Sequence, residues 1–370
     1  MQNKNSLITI VTPSFNQGWF IEQTIKSVLS QEGNFYLEYI ILDAGSKDDS
    51  VEIIKKYDRL LKEGGLPLKC LEITYKWFSE PDRGQTDALN KGLKMANGEI
   101  VAWLNSDDKY LPGTLEKVRR AFSQNPESGF VYGDVRFVDE EGKIIRTHRA
   151  KTGLSGTDFK YSNPLIQPEV FFRKKLLSEI GFLDESFDVA MDYEFWTRAA
   201  RQSSAFTYVD SFLAEFTVRK DAKSSALNAT MYIEALLVQL KYFGFDSWFV
   251  HNWGCYVAEY SEWTNRDPEE AFREITEGLS RRCTKEQKVL LAKNQQRALM
   301  LCHLRKAACK TTTSKKAALK YGFFVLSKSP SLLLTRNGAV FLIRMFLKSG
   351  HCLQIKEICL GLRRRLRRFF

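Results

Sequence analysis

A chain of 370 residues, 44% apolar and 13% aromatic, can bury a sizeable core and divide into two domains, which marks a globular protein. Its formal charge of +11 is unevenly placed: residues 281–370 hold 22 Lys and Arg against 2 acidic residues, a local +20, while residues 1–280 hold 33 against 42, a local −9. The body is therefore not basic, and the chain's seven scattered cysteines read as reduced thiols rather than a disulfide framework.

Residues 7–12, LITIVT, form a continuous apolar and β-branched run, which predicts a strand buried on both faces of a parallel sheet. PSFNQG turns the chain, and Phe20, Ile21, Ile25, Val28 and Leu29 then fall at helical spacing, giving a helix that covers the sheet. YIILD over 39–43 predicts a second strand, and the GSKDDS after it supplies Asp or Ser to cap a helix through Val51, Ile54 and Leu61. CLEITYKWFSE reads as a third strand, GQTDALNKGLKMA as a helix ended by Asn97-Gly98, and EIVAWLNSDD as a fourth strand running into acid. This alternation demands an α/β fold, a mainly parallel, Rossmann-like sheet with helices on both faces and its ligands at the carboxyl ends of the strands.

After Leu111-Pro112-Gly113 a helix runs to about Ser123, and GFVYGDVRFVD with GKIIRTHR reads as a hairpin or mixed strands. A Gly and Ser rich loop follows over residues 152–157, then a strand, a helix, a loop and a second helix over 168–201, and a strand over 205–218. Beyond about Lys220 helical periodicity takes over. The domains are accordingly drawn as 1–219, an α/β body, and 220–370, a helical, basic C-terminal region.

Four acidic clusters follow strands or loops: Asp43; Glu80 with Asp82; Asp107 with Asp108; and Asp192. Any one of them alone is most simply a helix cap or turn residue. Together they suit a hard divalent cation, because adjacent carboxylates repel unless a positive charge lies between them. Mg²⁺ or Mn²⁺ takes carboxylate, water and phosphate oxygens together, and offsets charge on a leaving diphosphate.

In this order and spacing, ITIVTPSFNQ, DAGSKDDS, SEPDRGQTDALNKG, LNSDD and AMDYEFW resemble a family 2 glycosyltransferase of GT-A fold over roughly residues 6–217, of the non-processive bacterial type. The resemblance implies a nucleotide diphosphate sugar as donor, bound by Thr12, Pro13, Phe15 and Asp43 at base and ribose, with Asp82, Arg83 and Gln85 reaching base or phosphate. It aligns the family's DxD with Asn105-Ser106-Asp107: Asp107 falls at the metal-coordinating position, Asn105 stands where the first Asp is common, and Asp108 is a neighbouring donor-site residue. It implies Asp192 as the catalytic base, taking the acceptor hydroxyl's proton as that oxygen attacks the anomeric carbon and inverts it. Phe195 and Trp196 are expected in the core beside it. The QxxRW motif of processive members is absent from the sequence, so one sugar per binding event is expected.

The implied acceptor is a hydroxyl of a cell-surface glycan or a polyprenyl-linked precursor. The first residues lack the regions of a secretion signal, and no run of ~18 apolar residues spans a bilayer. A cytoplasmic protein is therefore expected. GLRRRLRRFF at 361–370, within the local +20, predicts peripheral docking on an anionic membrane surface. Cys302, His303, Cys309, His351 and Cys352 contain no CxxC pair, and zinc is not expected there. A nucleotidyltransferase also uses such a sheet, but needs a Gly-rich basic loop where TPSFNQG stands. A non-catalytic membrane or nucleic-acid adaptor leaves the four acidic clusters without a role.

Overall fold

The computed structural model describes residues 6–202, 204–219 and 228–310, with side chains up to residue 306. The chain divides into two compact units, residues 1–225 and 226–370.

The first unit opens with the predicted alternation. Strands β1 (Ser6–Ser14), β2 (Phe35–Asp43), β3 (Glu72–Ser79) and β4 (Ile100–Trp103) are separated by helices α1 (Ile21–Leu29), α2 (Ser50–Lys62) and α3 (Gln85–Met95). β1 pairs in parallel with β2 and β4, and β2 with β3. Ile8–Ser14 of β1, Leu37–Asp43 of β2 and all of β4 are buried, as their apolar runs require. On α1 the buried residues Ile21, Thr24, Ile25, Val28 and Leu29 recur at helical spacing, each fully buried aliphatic contributing roughly 1.5–3 kcal/mol over exposure. Helix α3 crosses β1 so closely that a Cβ on Gly92 would lie 2.4 Å from Val11 Cγ1.

The sheet then becomes mixed. Strands β5 (Lys109–Tyr110), β6 (Ser128–Val138), β7 (Ile144–His148), β8 (Val170–Arg173) and β9 (Ala205–Thr217) follow, with helices α4 (Thr114–Gln124), α5 (Lys175–Ile180) and α6 (Met191–Arg201). Among the described residues the strand order is β3-β2-β1-β4-β8-β6-β9-β5, with β7 added to β6. β8 runs antiparallel to β4 and β6, β6 and β7 form the expected hairpin, and β6 is parallel to β9. Because β8 is reversed, the segment entering it lies at the same end as the segment leaving β4. Two-residue β5, paired with β9, carries no periodicity that a sequence could display.

An aromatic cluster fixes α6 to this half. Trp103 of β4 stacks on Trp196 at 5.0 Å, and Phe130 of β6 meets the same indole edge-on at 5.4 Å. Phe195 and Trp196 are wholly buried, as expected.

The second unit is helical as far as it is described: α7 (Ala229–Phe243), α8 (Ser247–Trp263), α9 (Pro268–Arg281) and α10 (Lys285–Lys310). Asn228, Asp246 and Asp267 cap α7, α8 and α9 by accepting backbone N–H bonds. Trp253 stacks on Phe272 at 5.0 Å. Among the described residues no helix is long and apolar enough to cross a membrane. Residues 311–370, including GLRRRLRRFF, His351 and Cys352, lie outside the described residues.

Candidate active site

Parallel register sets Ser14, Asp43 and Ser79 in one row at the carboxyl ends of β1, β2 and β3. The loops that leave this row are bonded to each other. Asn16, held at φ 52°, donates its N–H to Ser46 Oγ at 2.7 Å and accepts from Lys47 N at 2.9 Å. Gln17 N reaches Ser50 Oγ at 2.9 Å and Gly18 N reaches Asp48 Oδ2 at 2.8 Å. One rigid rim results.

The expected donor residues divide in this rim. Phe15 is 57% exposed, and Trp19, which sequence reasoning passed over, is 80% exposed. Pro13 is buried. Thr12 is wholly buried and its hydroxyl meets Tyr39 Oη at 3.1 Å, so it braces β1 against β2 and does not face the cleft. Asp43 is 2% exposed: its carboxylate accepts from Gly45 N, Ser46 N, Ser46 Oγ and Ser79 Oγ at 2.5–3.1 Å. That carboxylate shapes the DAGS turn, in which Gly45 takes φ 77°.

The SEPDRGQ segment makes a second rim. Asp82 Oδ1 accepts from Gly84 N at 2.8 Å. Arg83 is exposed and bridges Asp87 Oδ1 and Glu185 Oε2, both at 2.9 Å. Hydrogen bonds from the Arg83 side chain and N–H hold the Asp87 carboxyl down at about 2. Gln85 Nε2 donates to Asn105 Oδ1 at 2.8 Å, which brings two of the expected residues together.

Leu104 N bonds Val11 O at 2.9 Å, carrying the chain beyond β4 into the Asn105–Asp108 loop. Thr24 of α1 donates to the carbonyls of Ser106 and Asp108 at 2.9 and 2.8 Å. Asp108 turns inward, 1% exposed, and accepts from Thr217 N at 2.9 Å and Asn105 Nδ2 at 3.5 Å. Burial, and then the charge of Asp107, push its carboxyl well above the usual carboxylate range. In place of the direct donor contact expected of it, Asp108 pins this loop to β9. Asp107 keeps its side chain 21% exposed and pairs with Arg219 Nη1 at 3.3 Å. Arg219 lies just past β9 in no recognisable motif, and nothing in its local pattern singles it out.

Asp192 sits in the first turn of α6. Its neighbours Met191, Tyr193, Glu194, Phe195 and Trp196 are all buried, while Asp192 is half-buried. Tyr193 N donates to Oδ1 at 2.6 Å and Asn163 Nδ2 to Oδ2 at 3.2 Å. Tyr193 Oη donates to Phe159 O, and Arg198 bonds Glu194 at 2.9 Å and Phe182 O at 2.7 Å, so the helix that carries Asp192 is anchored on both sides. Asn163, in an Asn-Pro turn, was not singled out from the sequence. The Gly and Ser rich loop is ordered around Asp158, which accepts from Ser155 N at 2.9 Å. No group of three or more His, Cys, Asp or Glu side chains is gathered around a metal position among the described residues.

Residues 9–181 match the model of the glycosyl transferase family 2. The chain is 25% identical over 216 residues to an uncharacterised glycosyltransferase of Methanocaldococcus jannaschii, covering 57% of this chain and 71% of that one. It is 36% identical over 117 residues to the putative teichuronic acid biosynthesis glycosyltransferase TuaG of Bacillus subtilis, covering 32% and 42%. In fold it is similar to Staphylococcus aureus TarS, solved in complex with UDP, with a TM-score of 0.53 at 14% identity over 83% of this chain and 92% of that one. The first unit is thus a family 2 glycosyltransferase domain of GT-A fold, and the chain is a glycosyltransferase.

Proposed function

We propose that this glycosyltransferase moves one sugar from a nucleotide diphosphate donor to a hydroxyl of a glycan or lipid-linked acceptor, with inversion. The observation that carries the reading is that two carboxylates found by the motifs are each half-buried and held by their own bonds, Asp107 on the loop beyond β4 and Asp192 on α6. The rim built on Pro13, Phe15 and the Asp43 turn receives the base and ribose. Asp82, Arg83, Gln85 and Asn105 line the way to the diphosphate.

In the transfer, Asp192 accepts the acceptor hydroxyl's proton as that oxygen bonds to the anomeric carbon. The bond from that carbon to the phosphate oxygen breaks, and its electron pair leaves with the nucleoside diphosphate. Tyr193 N and Asn163 aim the carboxylate. A single carboxylate fits Mg²⁺, which is commonly held by one or two carboxylates together with substrate phosphates, and Mn²⁺ takes the same ligands. Asp107 would hold that ion, which would offset charge on the leaving diphosphate.

The name of TuaG and the UDP in TarS support an envelope polysaccharide as product and a uridine donor as the first to test. The local +20 of residues 281–370 supports work at an anionic membrane surface, where a lipid-linked acceptor would lie. A thermal-stability panel of UDP-, GDP- and other nucleotide sugars tests the donor reading. Stabilisation by one of them is expected; stabilisation by none would overturn it.

A further inference from the structure

We propose that a cleft at the amino end of the sheet, away from the Ser14, Asp43 and Ser79 row, binds a small soluble phosphate ester with an apolar body. The sugar transfer above makes no use of this cleft.

The cleft has a volume of about 650 Å³, within the ~300–1,000 Å³ of small-molecule sites. Leu93, Leu177 and Phe182 give it an apolar floor. Four cations line it, Lys94, Arg173, Lys174 and Lys175, against one acid, Glu99. They come from separate elements: Lys94 from the last turn of α3, Arg173 from the end of β8, and the other two from the start of α5. Arg173 stands opposite Ile100, the first residue of β4, which sets the cleft at the far end of the sheet from the donor rim.

The charge in the cleft belongs to its lysines. Arg173 is committed to the protein: Nη1 pairs with Glu99 at 2.5 Å, and Nε and Nη2 donate to Ser128 O and Phe122 O at 2.9 and 3.0 Å. That pair cancels the one acid. Lys175 is only loosely paired, 3.9 Å from Glu179. Among the described residues Lys94 and Lys174 pair with no carboxylate: Lys94 Nζ lies 5.6 Å over the Phe182 ring, and Lys174 is half-buried with its N–H on Glu99 O at 2.9 Å. A half-buried ammonium without a counter-ion favours an anion beside it, and residues 1–280 are otherwise acidic in sum, at −9. The floor is preformed. Phe182 O accepts from Arg198 Nη2 at 2.7 Å, and Asn90 clamps Leu183 through its N–H and its carbonyl, both at 3.0 Å. Ammonium groups meet phosphate oxygens as point charges, and the floor between them takes the apolar body. Inorganic phosphate would leave the floor uncovered, and an uncharged apolar molecule would leave the lysines unmet.

Hexyl phosphate is the probe, titrated by calorimetry against the full chain beside inorganic phosphate and hexanol. Hexyl phosphate should bind at least about tenfold tighter than either. Lys94→Gln with Lys174→Gln should weaken it by about tenfold or more, and UDP with Mg²⁺ should not displace it. No binding to wild type, equal affinity for hexyl and inorganic phosphate, an unchanged affinity in the double variant, or displacement by UDP would each overturn the proposal. If wild type ignores hexyl phosphate but the double variant loses retention on phosphatidylcholine vesicles carrying phosphatidic acid, the cleft takes a lipid headgroup and the soluble ester is overturned.

Discussion

Gln85 Nε2 donates to Asn105 Oδ1 across 2.8 Å, tying the first residue of α3 to the loop beyond β4. The amide that stands where the family commonly has an acid is therefore oriented by the DRGQ segment, and its Nδ2 side faces Asp108 at 3.5 Å. A carboxylate at 105 would accept from Gln85 equally well. Asn105→Asp is accordingly expected to fold normally and, by adding ligand charge beside Asp107, to tighten Mn²⁺ by about tenfold. A Mn²⁺ titration of nucleotide-sugar turnover measures this, and an unchanged midpoint would show that residue 105 does not face the ion.

Replacing Asp192 by Asn keeps the bond from Tyr193 N but removes the proton acceptor. Turnover should fall by about 10²–10⁴, the range of a general base, with donor affinity unchanged. Comparing kcat with donor binding separates this from a folding defect.

Asp43→Ala would strand four donors of the DAGS turn and its neighbour Ser79 at a site 2% exposed. The expected cost is about 2–4 kcal/mol, read from denaturant unfolding. Thr12→Val, which loses only the bond to Tyr39, should cost less than about 1.5 kcal/mol.

Glu169 is wholly buried before β8, with Ile166 N on one carboxyl oxygen. Burial, more than the charge of Asp134, raises its carboxyl well above the ordinary 4.5. A raised folded value means that the native state holds a proton that the unfolded chain releases above 4.5, so this group's stabilising share is full below that pH and is lost as pH rises towards the folded value. The loss approaches about 1.4 kcal/mol per pH unit inside the window. Glu169→Gln has no such proton, so its stability relative to wild type should climb as pH rises above the ordinary carboxylate range. Parallel pH profiles would contradict the assignment.

Much of the first unit was legible because its code is local. LITIVT and YIILD are too short and too β-branched for helices, and the spacing of Ile21, Ile25 and Val28 admits little else. The reversal of β8 and the parallel pairing of β6 with β9 were not legible, since strand direction depends on contacts distant in sequence. The same divide runs through the site. Asp43, Asp107 and Asp192 stand out in their motifs as candidates, but a motif does not say which way a carboxylate points. Only the fold shows Asp108 turned inward onto Thr217, Thr12 closed against Tyr39, and Arg219 brought from beyond β9 to Asp107.

The central claim, that Asp107 and Asp192 serve sugar transfer from a nucleotide diphosphate, is tested most directly by release of nucleoside diphosphate from a nucleotide-sugar panel with Mg²⁺ or Mn²⁺. Wild type should turn over at least one donor slowly to water, and Asp107→Ala and Asp192→Ala should each lower that rate by about a hundredfold or more. Release from no donor, or both variants as active as wild type, would contradict it.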